Sequence, residues 1–217
     1  SDQDQIASHL NMRNQYNVPL WMGESGENSN HWYNSAVQSL ENNNIGWCWW
    51  TYKKMRSTTS PLETVIPQDY QLILDYWEGN GPEPDMSTSV NGLMEMADSF
   101  LLNNCMFHPG VIRSLMDDEF GYVNKPFSDH VLPGTIMAVD YDFGGNETAY
   151  VDEGYETTSQ ENWVSWNQGW FYRNDGVDIE ECNDPEVDYN VGWITNDEWL
   201  KYTISALYSD DYEVSMH

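Results

Sequence analysis

Apolar residues in the first part of the chain change from helical to strand-like spacing. Ile6, Leu10 and the segment 13–16 lie at helical spacing, and Pro19 would end that helix. The apolar run over residues 18–22 then predicts a short buried strand. A first helix followed by a first strand is therefore expected before residue 23.

A second helix and a second strand are predicted next. Apolar side chains recur at i, i+4, i+5 and i+8, a stripe that predicts a helix capped by Ser29 or Asn30 and stopped by the asparagines at 42–44. Residues 45–52 are apolar on both faces, as expected of a strand covered by helices in a parallel sheet. The stripe consists of Trp32, Ala36, Val37 and Leu40.

Alternating helices and strands with short connections are typical of a (β/α) barrel or a doubly wound sheet. A complete barrel takes about 250 residues, so the roughly 50 residues with this pattern supply only two of its eight strands. We expect the other strands to precede Ser1. The chain begins without Met and ends at His217 inside an alternating pattern, and both ends are expected to be cut.

Residues 56–128 carry two more helical stripes, which predict closing helices on the outside of the barrel. From residue 131 the period changes to strict alternation over 200–206 and 212–216, which predicts half-buried antiparallel strands. A tight turn is predicted at 174–176. The helical stripes are Tyr70, Ile73, Leu74 and Trp77, then Val90, Leu93, Met94, Ala97 and Leu101.

These patterns predict a multidomain chain. A C-terminal fragment of a (β/α)₈ TIM barrel with closing helices would occupy residues 1–128, and a linker would occupy 129–134. A partial all-β jelly-roll sandwich, truncated at its C-terminus, would occupy 135–217.

Composition narrows the set of partners. Lys and Arg number 8 against 36 Asp and Glu, and the formal charge is −28, so a phosphate backbone or an anionic membrane would be repelled. No run approaches the about 20 apolar residues of a membrane span. The 3 cysteines are widely spaced and indicate neither a zinc site nor a disulfide framework. We expect no nucleic-acid binding, no membrane span and a neutral substrate.

Glu24 lies just after the first predicted strand, where barrel enzymes place their catalytic side chains. Glu27 lies further into the same glycine-containing loop. The second predicted strand carries Trp47, Trp49 and Trp50, and alternation sends Trp50 to the opposite face from the other two. An exposed indole beside a carboxylate suits sugar chemistry, because the ring packs on the C–H face of a pyranose while the carboxylate acts at the anomeric carbon.

The segments Pro19-Leu20-Trp21-Met22-Gly23-Glu24-Ser25-Gly26 and Gly46-Trp47-Cys48-Trp49-Trp50-Thr51-Tyr52-Lys53 resemble the last two strands of glycoside hydrolase family 5, cellulase-like retaining β-glycosidases. The resemblance covers about residues 1–128. It implies that Glu24 is the nucleophile and that Trp50 floors the subsite of the attacked sugar. By the same resemblance Asn28, Trp32 and Lys53 are candidates for lining the substrate cleft.

The retaining mechanism needs a second carboxyl group about 5–5.5 Å from the nucleophile. The resemblance implies that this acid/base is a Glu after an Asn at the end of the fourth barrel strand, which would lie before Ser1. Glu27 is not assigned this role, because it shares its loop with Glu24 and the acid needs a separate strand. The chain alone is therefore expected to be inactive.

Several ordered motifs of the second half resemble carbohydrate-binding module family 6, a β-jelly roll that binds β-glycan chains. By this resemblance Tyr172 flanks a bound sugar ring, and its partner tryptophan would lie beyond His217. The family often holds a structural Ca²⁺ with Glu-Ala-Glu, but this chain has Met137-Ala138-Val139, which offers no such oxygen ligands. The motifs are Tyr141–Gly145, Ala149–Asp152, Tyr172–Ile179, Val191–Trp193 and Glu198–Thr203.

These expectations combine into one hypothesis. The chain would be a monomeric part of a secreted, extracellular or cell-surface, retaining β-glycoside hydrolase acting on β-linked polysaccharide, without cofactor or metal. The sequence leaves open which β-glycan is cut and whether action is endo or exo. The alternatives are a non-catalytic carbohydrate-binding protein, in which the β module does the work, and an acidic surface-display protein without a sugar site.

Overall fold

The structure, a computed structural model, describes residues 2–152, 172–185 and 187–216. Within those ranges, no helix is both long enough and apolar enough to cross a membrane. The helices are α1 (Asp2–Tyr16), α2 (Asn30–Asn42), α3 (Gln68–Trp77), α4 (Met86–Ser99) and α5 (Pro109–Met116), with a 3₁₀ turn at Leu102–Asn104. The strands are β1 (Trp21–Met22), β2 (Gly46–Trp47), β3 (Lys53–Met55), β4 (Leu62–Thr64), β5 (Met106–Phe107), β6 (His130–Leu132), β7 (Tyr150–Val151), β8 (Ile179–Glu181), β9 (Tyr189–Val191), β10 (Trp199–Leu200) and β11 (Ile204–Ala206).

The chain divides into two compact units. The first contains Ser1–Glu27 and Val37–Ile112, and the second contains Asn28–Ala36 and Arg113–His217. Helix α2 therefore contributes its first half to the second unit and its second half to the first. The predicted boundary at 129–134 stays a prediction, although residues 113–128 group with the C-terminal unit.

The first unit is built around a parallel strand pair. Strands β1 and β2 pair in parallel with Trp21 opposite Gly46 and Met22 opposite Trp47. Strands β3, β4 and β5 form a second small sheet, parallel between β3 and β4 and antiparallel between β4 and β5. Helices α3 and α4 pack closely at Gly92, where a Cβ atom would lie 2.6 Å from the Asp69 carbonyl carbon. A glycine at this position is what allows the two helix backbones to approach.

The four helices predicted from apolar stripes are confirmed in position, and β1 and β2 lie inside the two predicted strand segments. The expectation that these strands are buried is wrong: Trp21 is 65% exposed and Trp47 is only partly buried, because the sheet that contains them has two strands in the described ranges. Ser29 caps α2 as predicted, because its hydroxyl oxygen accepts a hydrogen bond from the Trp32 N–H at 3.2 Å. The second strand is shorter than predicted: it ends at Trp47, and residues 48–50 instead bond to the loop after β1.

The second unit encloses an aromatic core. Antiparallel pairs join β7 to β10 and β8 to β9, and β6 pairs in parallel with β11. The buried core consists of Val139, Tyr141, Ala149, Tyr150, Val177 and Ile179. Met137, Tyr172, Tyr189, Val191, Leu200 and Tyr202 pack against it while partly exposed.

The single strand predicted over 200–206 is wrong. Two short strands, β10 and β11, are separated at residues 201–203, and β11 is exposed and pairs in parallel with β6, not half-buried and antiparallel as predicted. The carboxylate of Asp142, which is fully buried, accepts hydrogen bonds from the Thr203 N–H at 2.8 Å and from its hydroxyl at 2.6 Å. The first of these bonds satisfies the Thr203 backbone N–H, which would otherwise donate to a neighbouring strand. Residues 211–216 form no strand either.

Within the described ranges, each sheet contains two or three strands. The parallel pair β1–β2 is a unit that a barrel would contain, and the antiparallel pairs of the second unit are units that a sandwich would contain. The TIM-barrel fragment and the partial jelly roll stay predictions.

Candidate functional site

The carboxyl ends of β1 and β2 lie at the same edge, because the two strands are parallel and in register. The loop after β1 and the segment after β2 bond to each other there. The Cys48 N–H donates to the Met22 carbonyl at 2.9 Å, and the Trp50 N–H donates to the Ser25 carbonyl at 2.7 Å. The loop that carries Glu24 is therefore fastened along the segment that carries Trp50.

At this edge, the backbone of Gly26 lies very close to the backbone of Trp50. A Cβ atom at Gly26 would lie 1.9 Å from the Trp50 carbonyl oxygen, and the φ angle of this residue is +154°. No side chain fits in that space. The Cys48 thiol adds a hydrogen bond of 2.6 Å to the Gly23 carbonyl. The glycines and Cys48 were not singled out as site residues from the sequence; the glycine spacing was the available signal.

Glu24 and Trp50 both face solvent at this edge. The Glu24 side chain is exposed, and Trp50 exposes 56% of its surface. Trp47 and Trp49 pack edge to face, with ring centroids 6.0 Å apart, as their predicted position on one face requires. The peptide bond between Trp50 and Thr51 is cis. The structure thus brings an exposed carboxylate and an exposed indole to one strand edge.

The other carboxylate of the loop is engaged. Glu27 forms an ion pair with Lys54, and its φ angle of +61° lies in the left-handed region. Lys53, a candidate cleft residue, donates a hydrogen bond from Nζ to the Phe100 carbonyl and lies 5.7 Å from the Tyr52 ring centroid. Lys53 and Lys54 thus both have partners within the first unit.

Asn28 and Trp32, the remaining candidates for the cleft, belong to the second unit. The Asn28 side-chain oxygen accepts from the Ser29 N–H at 2.8 Å, and its carbonyl accepts from Asn174 Nδ2 at 2.8 Å. Trp32 is half-buried and packs edge to face on Tyr33, with ring centroids 6.3 Å apart. Both residues have structural contacts at the start of α2.

Tyr172, the predicted sugar-flanking residue, is half-buried among aromatic rings. Its centroid lies 5.0 Å from that of Tyr189 and 5.8 Å from that of Phe127. Its hydroxyl donates to Asp140 Oδ1 at 2.6 Å. Burial, followed by the bond to Asp140, raises the pKa of Tyr172 above its usual range. The hydroxyl is neutral and held, and part of the ring is covered by its neighbours.

A buried cation organises the second unit, and the sequence reasoning did not find it. Arg173 is only 4% exposed, and its Nε donates to Asp175 Oδ2 at 2.9 Å. The guanidinium carbon lies 3.7 Å from the Tyr141 ring centroid. Tyr141 also donates to Asp175 Oδ1 at 2.5 Å, and burial raises the Tyr141 pKa well above its usual value. The signal was the charged Arg-Asn-Asp run at 173–175, which resembles an exposed turn.

His31 is a second titratable group enclosed in this unit. Its ring packs against Phe120 with centroids 5.5 Å apart. Burial lowers the pKa of His31 to about 4, although Asp175 acts in the opposite direction. The imidazole is therefore neutral near pH 7 and resists protonation in the folded chain.

In the described part of the chain, no three His, Cys, Asp or Glu side chains are grouped as a metal ion would require. Comparison with protein-family models, with curated proteins and with solved structures gives no match. The two family resemblances therefore rest on the quoted sequence motifs alone.

Proposed function

We propose that this chain is part of a retaining β-glycoside hydrolase for β-linked polysaccharide, with an attached carbohydrate-binding unit. The observation that carries the proposal is the shared edge of β1 and β2, where an exposed Glu24 and an exposed Trp50 follow parallel strands. Catalytic carboxylates of barrel enzymes occupy this position relative to their strands.

In the proposed chemistry, a Glu24 carboxylate oxygen attacks the anomeric carbon while the glycosidic C–O bond breaks, and the leaving oxygen takes its proton from an acid/base that is not assigned to this chain. Water then hydrolyses the resulting glycosyl-enzyme ester and releases the sugar and the Glu24 carboxylate. The Trp50 indole packs on the apolar face of the sugar in the attacked subsite. The hydrogen bond from the Trp50 N–H to the Ser25 carbonyl fixes the two segments relative to each other. The backbone brings the Glu24 loop and the Trp50 segment together, because a glycine at position 26 permits the close approach to the Trp50 carbonyl oxygen.

The proposal assigns the acid/base to no residue of this chain. Glu27 is paired with Lys54 on the loop of the nucleophile, so it does not meet the requirement for a carboxyl group on a separate strand. We therefore expect no hydrolysis of β-glycans by this chain alone. Turnover of a dissolved β-glucan by the purified chain would contradict that expectation.

The nucleophile can be tested without the acid. In a 2-fluoro glycoside with a fluoride leaving group, the fluoride departs without protonation, and the covalent intermediate is trapped. We expect intact-mass and peptide mass spectrometry to find one label on Glu24, lost in Glu24→Gln and kept in Glu27→Gln. A label on Glu27, or an equal label in Glu24→Gln, would contradict the assignment.

The indole can be tested by binding. In affinity electrophoresis, Trp50→Ala should be retarded less than wild type by the polysaccharide that the chain binds. The polysaccharides to compare are cellulose derivatives, mixed-linkage glucan, β-1,3-glucan, mannan and xylan. Trp77→Ala is a matched control, because Trp77 is also an exposed tryptophan of the first unit, on α3. Binding abolished by Tyr172→Ala but unchanged in Trp50→Ala and Glu24→Gln would favour the non-catalytic carbohydrate-binding protein instead.

A further inference from the structure

Two carboxylates of the second unit are buried next to each other. Asp178 is 7% exposed and Asp152 is 9% exposed. The Asp178 N–H donates to Asp152 Oδ2 at 3.4 Å. The Asp178 Oδ1 atom is buried and receives no hydrogen bond from the residues that the structure describes. A buried ionised carboxylate without a donor is costly, so this group needs a counter-charge or a proton.

Strand pairing brings these acids together. Asp152 follows β7, Glu198 precedes β10, and β7 pairs with β10 through Val151 and Trp199. Asp178 directly precedes β8. Three carboxyl groups on three strand ends are thus placed at one corner of the second unit.

Glu198 connects this corner to a cavity of about 480 Å³ that is open to the surface. Val151, Thr195, Asn196, Asp197 and Glu198 line that cavity. Glu198 Oε2 accepts from the Thr195 N–H at 2.7 Å, which closes the turn over 195–198. A change in charge at the corner would therefore act on the turn that lines the cavity.

Among the residues that the structure describes, the surroundings of Asp178 favour a bound proton over a bound cation. The charged side chains that act on Asp178 among the described residues are Asp152 and Glu198, both acidic. No three acids in the described ranges have the grouping of a metal site. Asp152 Oδ2 accepts the Asp178 N–H, whereas Asp178 Oδ1 has no donor among the described residues, so we assign the proton to Asp178. Burial first, and then Asp152 and Glu198, raise the pKa of Asp178 to about 7.

We propose that Asp178 carries a proton in the folded chain, and that losing it as the pH rises loosens the 195–198 turn, so that this corner is a pH-sensitive switch. The proposal is independent of the glycosidase assignment. When folding raises the pKa of an aspartate from about 4 to about 7, the stability of the folded chain falls progressively as the pH rises between these two values. Above the higher value the pH has no further effect through this group. The lowered pKa of His31 makes stability rise, not fall, as the pH increases from about 4 to 6.5. The pH dependence of wild-type stability alone therefore does not isolate the effect of Asp178.

The test is the difference in melting temperature between variants of the full chain from pH 4.5 to 8.5. Asp178→Asn mimics the protonated carboxyl group. It should melt at a progressively higher temperature than wild type as the pH rises to about 7, with a constant advantage above. Asp197→Asn is the matched control, since Asp197 lines the cavity without belonging to the buried pair, and it should follow wild type. A difference between Asp178→Asn and wild type that does not vary with pH would overturn the proposal.

A second measurement keeps the test independent of how well Asp178→Asn folds. The ¹³C shift of the Asp178 carboxyl carbon in wild type should titrate near neutral pH, and in Asp152→Asn its midpoint should move to lower pH. A midpoint below pH 5 in wild type would overturn the proposal. Calcium chloride that raises the melting temperature of wild type at pH 8, but not that of Asp178→Asn, would identify a cation as the counter-charge and would overturn it too.

Discussion

The two units use carboxylates in opposite ways. Glu24 of the first unit is exposed at the edge of a parallel strand pair, whereas Asp175 of the second unit is 6% exposed and accepts hydrogen bonds from Arg173 and Tyr141. A carboxylate whose oxygens are taken by protein donors stabilises the fold. One that faces solvent beside an exposed ring has its oxygens available to a substrate. Of the 36 Asp and Glu residues, Asp175 thus has its oxygens bonded within the protein, whereas Glu24 is exposed to solvent.

The aromatic side chains show the same contrast. Trp50 is exposed next to Glu24, while Tyr172 packs against Phe127 and Tyr189 and is tied to Asp140. A sugar could pack on the Trp50 ring as it stands. At Tyr172 the available area is smaller, because two rings already cover part of it. Under the proposed function, Trp50 therefore offers the more accessible ring of the two.

The largest expected effect is in the second unit. Arg173→Ala would leave Asp175 buried without its cation, and such a loss typically costs about 3–5 kcal/mol. Urea unfolding followed by near-ultraviolet circular dichroism measures this change. Lys54→Ala is the control, because the side chains of the Lys54–Glu27 pair are 33% and 47% exposed, and the loss of this pair should cost about 1 kcal/mol or less. Equal losses of unfolding free energy in the two variants would contradict the distinction between a buried and an exposed ion pair.

His31 provides the next effect, on the acid side. Its folded pKa of about 4 lies below the usual 6.5, so the unfolded chain binds a proton more readily, and the stability that neutral His31 contributes is lost as the pH falls from about 6.5 to 4. The loss should reach on the order of 3 kcal/mol. His31→Gln should remove that pH dependence, whereas His9→Gln, at an exposed position of α1, should not. Unfolding free energies at pH 4.5 and 7 give the comparison.

Gly26→Ala tests the edge of the first unit. The added methyl group would collide with the Trp50 carbonyl oxygen, and displacing the loop should cost about 1–3 kcal/mol. Glycoside labelling of Glu24 should fall with it. In Gly23→Ala the new Cβ would have only an ordinary contact of 3.6 Å with Trp21, so this control should be near neutral. If both variants behave like wild type in denaturation and labelling, the edge is not held as described.

The smallest effect on stability should come from Glu24 itself. Because its side chain is exposed, Glu24→Gln should change the unfolding free energy by about 0.5 kcal/mol or less. Thermal and urea unfolding of wild type and variant would detect a larger change. A clear loss of stability would mean that Glu24, like Asp175, is a structural acid, and the contrast between the units would fail.

The sequence predicted the helices and the shared edge because these follow from local periodicity and from the pairing of successive strands. The strand over 200–206 could not be predicted to break, because the break depends on Asp142, a residue about sixty positions earlier whose carboxylate binds Thr203. Glu24 was singled out from its place after the first predicted strand, whereas Trp50 was singled out from alternation within the second predicted strand and from the family resemblance. Arg173 was missed because its burial depends on rings that only the fold assembles.

The burial of Arg173 also determines how the chain can be cut by trypsin, which cleaves after Lys and Arg. Between Lys125 and Lys201 the sequence contains no other Lys or Arg. A protease would reach this bond only when the core of the second unit opens, so the rate of cleavage after Arg173 follows the population of the open state. A single peptide fragment thus reports the opening of that core in a digest of the unmodified protein.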